Sequence, residues 1–79
     1  MIHELKIHPK YLDDILDGSK RFEIRKDDRG FAVGHFLHLR EWQAPWEQFG
    51  SRECLVRVTY KTDFEQKDGI VVLGITDPI

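Results

Sequence analysis

Three residues in the stretch GSKRFEIR have the types and spacing to do chemistry: Lys20, Glu23 and Arg25. In an extended chain Glu23 and Arg25 share a face about 7 Å apart, so their side chains can meet, and Lys20 approaches from the preceding turn. A carboxylate flanked by an ammonium and a guanidinium can accept from an exocyclic amino group while the cations hold phosphate or carbonyl oxygens. The same alternation sends Phe22 and Ile24 one way and Arg21, Glu23 and Arg25 the other. That also describes an ordinary strand with a solvated charged face and one weak ion pair.

The other reactive side chains are less persuasive. Histidines His3 and His8 fall on opposite faces of one extended segment, and His35 and His38 on opposite faces of another, so metal ligands do not converge; only a His8–His38 pair across strands is conceivable. No metal site is expected. Asp63, Glu65 and Asp68 in DFEQKDG superficially resemble a calcium loop, but Lys67 occupies a ligand position and no closing glutamate follows. Cys54 alternates with Val56 and Val58 and reads as a buried apolar residue. Neither Ser19 nor Ser51 stands in a nucleophile-elbow context. Trp42 and Trp46 suit base stacking, or equally a core cap or a contact with a protein partner.

The elements that must position the charged row can be read along the chain. Ile2 to His8 alternates as a strand with His3, Leu5 and Ile7 on one face. Pro9 opens a helix carrying Tyr11, Leu12, Ile15 and Leu16 at helical spacing, and Gly18 closes it after Asp17 as a left-handed cap. Asp13, Asp14 and Asp17 lie where the helix dipole disfavours them, and Lys20 and Arg21 could offset that. Arg21–Lys26 is the second strand and Asp27–Gly30 a turn. A third strand runs from about His35 to Trp42, and QAPWEQFGS reads as a loop. Arg52–Thr62 is a long strand that should bend, with Cys54, Val56, Val58 and Tyr60 on one face. IVVLGI is apolar on both faces and should be central or covered on both sides. The chain is therefore mainly β with one short helix (α+β), a single domain over residues 1–79. A small closed barrel of about five strands and an open sheet both fit.

Charge narrows the partners. The net charge of −2 argues against gripping nucleic acid by overall charge, but five basic residues against three acidic crowd Gly18–Arg29. An anion site belongs there. One cysteine permits no intrachain disulfide. The N-terminus shows no signal-peptide pattern and no stretch has the length of a membrane span, so a cytoplasmic protein without membrane contact is expected.

GSKRFEIR also fits the G-x-K-x-x-E-x-R signature of the ASCH domain superfamily through Gly18, Lys20, Glu23 and Arg25, and Phe31-Ala32-Val33-Gly34 is similar to that family's F-x-V-G turn, with His35 where Asp is usual. More narrowly, IHPKYLDDILDGSKRFEIRKDDRGFAVG with TDFEQKDGIVVLGI resembles a short uncharacterised bacterial and phage branch. The resemblance implies a PUA-like β-barrel with a cleft between helix and barrel floored by Lys20, Glu23 and Arg25. It implies binding of RNA or a nucleotide-like small molecule, with no cofactor. Lys10, Arg29, Tyr60 and Gln66 are candidate rim residues, placed by closeness to the motif or by the TDFEQKDG block.

The alternative is an amidohydrolase on N4-acylated cytidine or a related modified base, the activity of one branch that uses a lysine, a threonine and a glutamate. Lys20 aligns with that lysine, but Glu23 stands where the threonine would be and cannot form the same acyl ester. If the protein is an enzyme, Glu23 would activate water beside Lys20 while Arg25 stabilises an oxyanion. A pure protein-interaction module resting on Trp42 and Trp46 is a third expectation.

Overall fold

The computed structural model describes residues 1–79. Five strands and one helix follow in the order β1 (Ile2–Ile7), α1 (Pro9–Leu16), β2 (Phe22–Lys26), β3 (Phe36–Gln43), β4 (Gln48–Thr62) and β5 (Ile70–Ile75). They form one mixed sheet ordered β1-β3-β4-β5-β2, in which β1 and β3 are parallel and the other neighbours antiparallel. No helix is long and apolar enough to cross a membrane.

β4 links the two parts of the sheet. Its first part pairs with β3 and its end with β5, and the register shifts between Val58 and Tyr60 where it passes from one partner to the other. This irregularity breaks the alternation. Tyr60 therefore faces outward, 64% exposed, instead of sharing the inner face with Val56 and Val58. Lys61 takes the inward direction, and its Nζ donates to Asp27 Oδ2 at 2.9 Å and to the Phe31 carbonyl at 2.7 Å.

The buried apolar residues form one continuous core. It joins Leu5 and Ile7 of β1 and Leu12 and Ile15 of α1 to Leu37 and Leu39 of β3, Val56 and Val58 of β4, and Val71, Leu73 and Ile75 of β5, with Phe31 beneath the loop. β5 lies between β4 and β2 as expected of a central strand, but Ile70, Val72 and Gly74 on its outer side are only half-buried. The segment QAPWEQFGS is mostly not a loop. Gln43 pairs with Gln48 and Trp42 with Phe49, so only a 3₁₀ turn at Ala44–Trp46 and a left-handed Glu47 connect β3 to β4. The Trp42 and Phe49 rings meet edge-on at 5.0 Å, a cross-strand pair that favours carrying the hairpin outward.

The sheet is not closed by a backbone ladder: β1 and β2 are its two edges. Arginine side chains bridge the seam between them. Arg25 Nη2 donates to the Lys6 carbonyl at 2.9 Å, and Arg29 Nη1 to the Glu4 carbonyl at 2.7 Å. These guanidinium groups satisfy edge acceptors that a neighbouring strand would otherwise take.

Candidate functional site

α1 ends where the sequence places its end. Asp17 is the C-cap, Gly18 follows at φ +86°, and the Lys20 amide donates to the Asp14 carbonyl at 2.9 Å. The aspartates at this end are not offset by Lys20 and Arg21 as expected. Asp13 pairs with Arg52, Arg21 pairs with Asp77, and Ser19 donates to Asp17 from both its amide and its hydroxyl. Those two bonds hold the Asp17 carboxyl below the usual carboxylate range.

The tight turn after α1 aims Lys20 back over β2. Its Nζ donates to the Phe22 carbonyl at 2.8 Å and forms an ion pair with Glu23 Oε1. From the other side Arg25 Nε donates to Glu23 Oε2 at 2.9 Å. Each carboxylate oxygen thus has its own cation. Burial here reverses the usual reading of alternation: Glu23 is 4% exposed, whereas Phe22 and Ile24 are 42% and 56% exposed. β2 is an edge strand whose inner face looks onto the seam, where the two cations and the carboxylate satisfy one another as a buried charge requires.

Above the triad lies a cleft of about 410 Å³ lined by Tyr11 of α1, Lys20, and Phe22, Glu23 and Ile24 of β2. Lys20 Nζ sits 5.3 Å from the centre of the Tyr11 ring and 5.0 Å from that of Phe22. The ammonium is therefore attracted to two ring faces as well as to the carboxylate. Two aromatic walls and a floor bearing both a donor and an acceptor form a setting for a flat heterocycle with an amino and a carbonyl group. Tyr11, Phe22 and Ile24 were not singled out by residue type; the signal for them is an aromatic on the helix and an apolar pair on the strand flanking the G-x-K turn.

The expected site residues divide. Lys20, Glu23 and Arg25 come together, and Arg29 lies farther along the same seam. Lys10, Tyr60 and Gln66 do not line the cleft. Lys10 is exposed on α1, with its amide donating to His8 Nδ1 at the N-cap. Tyr60 stands opposite Gly74 on the outer side of the sheet, and Gln66 Nε2 donates to the Phe64 carbonyl in the β4–β5 turn. The hairpin tip leaves Trp46 exposed, while Trp42 has Lys6 Nζ 3.8 Å from its ring centre.

Outside the cleft, His8 and His38 do not pair. His8 caps α1 and His38 Nε2 lies 3.0 Å from Glu53 Oε1. The histidines that meet are His3 and His35, Nε2 to Nδ1 at 3.0 Å, with the His3 ring edge-on to Phe31. Burial first, then the charges of His35, Arg29 and the N-terminus, lower the pKa of His3. Burial, reinforced by the negative charge of Glu23, pushes the Cys54 thiol up, which keeps it an inert apolar group. A Lys61 hydrogen bond holds Asp27 below its ordinary value.

An uncharacterised 12.9 kDa protein of the GpA 3′ region of Escherichia phage P2 is 45% identical to this chain over 62 residues, which are 78% of this chain and 55% of the phage protein. The chain thus spans about half the length of that relative. The matched family model covers residues 2–75, so that β1 through β5 and the charged seam all lie within it; the chain belongs to the domain of unknown function DUF3850.

Proposed function

We propose that this chain is a PUA-like domain of ASCH type that binds RNA or a nucleotide in the cleft between α1 and β2. The observation that carries this reading is Glu23, buried at the base of an aromatic-walled cleft with a different cation on each oxygen. A buried ion-paired carboxylate contributes little net stability compared with an apolar residue of similar size, so recognition accounts for it better than folding does. A base stacks between Tyr11 and Phe22. Glu23 accepts from its exocyclic amino group and Lys20 donates to its carbonyl or ring nitrogen. The open seam is compatible with the PUA-like reading, since arginine side chains take the place of the last ladder.

Hydrolysis of an N4-acylated cytidine is the second reading and uses the same Lys20–Glu23 contact. It is weaker because the hydroxyl beside the cleft, that of Ser19, is committed to Asp17 and the Asp14 carbonyl.

The test is binding of single-stranded RNA across a salt series. The wild-type chain is expected to bind more weakly as salt rises, and a Lys20→Ala, Arg25→Ala double variant to lose affinity. Binding that is indifferent to salt and survives the double variant rejects the cleft. Turnover of N4-acetylcytidine above a Glu23→Gln control would establish the hydrolase instead.

A further inference from the structure

Beyond Arg25 the seam opens into a second cavity of about 340 Å³, lined by Glu4, Leu5, Lys6, Arg25, Arg29 and Phe49. Successive residues of β2 line the two cavities: Glu23 and Ile24 the first, Arg25 the second. The second is cationic in its free donors. Lys6 Nζ rests over Trp42 and makes no hydrogen bond or ion pair. Arg25 uses Nε and Nη2, and Arg29 uses Nη1 on the Glu4 carbonyl and has Nε 3.9 Å from Asp28 Oδ1, which leaves Nη1 of Arg25 and Nη2 of Arg29 uncommitted. The one carboxylate in the lining, Glu4, is neutralised by Arg40 Nη1 at 2.7 Å. The Arg40 guanidinium in turn stacks 3.8 Å from the centre of the Phe49 ring.

Three cations with spare donors around a small cavity match a tetrahedral oxyanion, which accepts several such bonds at once. We infer that this seam cavity is a phosphate site held by Lys6, Arg25 and Arg29, and that it receives the phosphate of the nucleotide whose base occupies the Tyr11–Phe22 cleft. The inference rests on the base-binding reading of that cleft and narrows its ligand class. Phosphorylated nucleotides and RNA strands bind, whereas free bases and nucleosides bind only through the cleft. Arg25 joins the halves, because its guanidinium orients Glu23 on one side and faces the phosphate on the other.

The experiment compares the four ribonucleosides, their 5′-monophosphates, a short single-stranded oligoribonucleotide without a terminal phosphate, and inorganic phosphate, by calorimetry on the full chain. For the preferred base, the monophosphate is expected to bind at least roughly tenfold more tightly than the nucleoside, the equivalent of one charge-assisted hydrogen bond. Lys6→Gln should abolish that difference and leave nucleoside binding alone; the ammonium makes no hydrogen bond or ion pair, and its contact with the Trp42 ring contributes little at an exposed position, so the fold tolerates its loss. Arg29→Gln should act in the same direction. Tighter binding of the oligonucleotide than of the monophosphate assigns the site to a phosphodiester, and the reverse order to a terminal phosphate. Equal affinity for nucleoside and monophosphate, unaltered in Lys6→Gln, overturns the phosphate site while the base cleft stands. Phosphate-dependent binding sensitive to Lys6→Gln but indifferent to Tyr11→Ala overturns the shared ligand and the base cleft, leaving an anion site alone. No binding by any probe rejects both.

Discussion

Replacing Glu23 by Gln keeps the shape of the side chain and removes the charge on which Lys20 and Arg25 converge. Breaking a buried pair from one side costs about 3–5 kcal/mol; the lower end is expected here, because Lys20 and Arg25 keep some access to water. Urea unfolding of Glu23→Gln should therefore show a clear drop in midpoint with an unchanged slope, together with loss of ligand binding. A neutral stability effect would mean that Glu23 is not held as described. His3 supplies a pH dependence. Its folded pKa lies below its ordinary value of 6.5 because burial favours the neutral ring. Above 6.5 both folded and unfolded chains carry it neutral; below, the unfolded chain takes up a proton that the folded chain resists, so stability falls with falling pH. In wild type the loss should begin near 6.5, and His3→Gln should flatten that limb until the carboxylates begin to titrate. An identical profile in the variant would place the acid sensitivity elsewhere.

Among the elements, the β3–β4 hairpin fixes α1, and through it Tyr11. Arg52 of β4 donates to buried Glu41 of β3 from both Nε and Nη2, at 2.9 and 2.6 Å, and pairs with Asp13 of α1. Gly50 makes room for this group: a Cβ there would lie 2.8 Å from Glu41 Cδ and closer still to Oε1. Gly50→Ala should therefore destabilise by about 1–3 kcal/mol, the range for overpacking a filled site, and weaken ligand binding by loosening α1. Thermal melts that match wild type would show that Glu41 can swing aside freely. The helix and β1 were legible in the sequence because Pro9, Gly18 and the period of the apolar residues act locally, and the inner residues His3, Leu5 and Ile7 are buried as the alternation implies. The faces of β2 were not, since what buries Glu23 is the seam against β1 and the overhang of Lys20, both set by chain closure. Tyr60 was misplaced for a related reason: a register shift at a strand crossing leaves no mark in an alternating sequence. The Lys20, Glu23 and Arg25 cluster was readable from type and spacing, but Arg25 lines the neighbouring cavity and not the floor of the cleft; the walls Tyr11 and Phe22 depended on how α1 lies over β2.

At the scale of the molecule, an open seam in so small a sheet concentrates polar groups in one band, from Lys20 at the helix end to Arg29 at the far end. With a net charge of −2 over the whole chain, the proposed affinity for phosphates rests on this band. The dependence of log affinity on log salt should therefore be shallow, corresponding to few phosphate contacts, and shallower again in Arg29→Gln. A steep slope unaffected by that change would point to a different surface. The most direct test of the central claim is a chemical-shift titration of isotope-labelled protein with the ribonucleoside monophosphates. Perturbations are predicted to cluster on Tyr11, Lys20 and Phe22–Arg25, extend to Lys6 and Arg29, and vanish at the same ligand concentration in Glu23→Gln. Shifts centred instead on Trp46 or the 63–69 turn, or shifts that persist unchanged in Glu23→Gln, would contradict it.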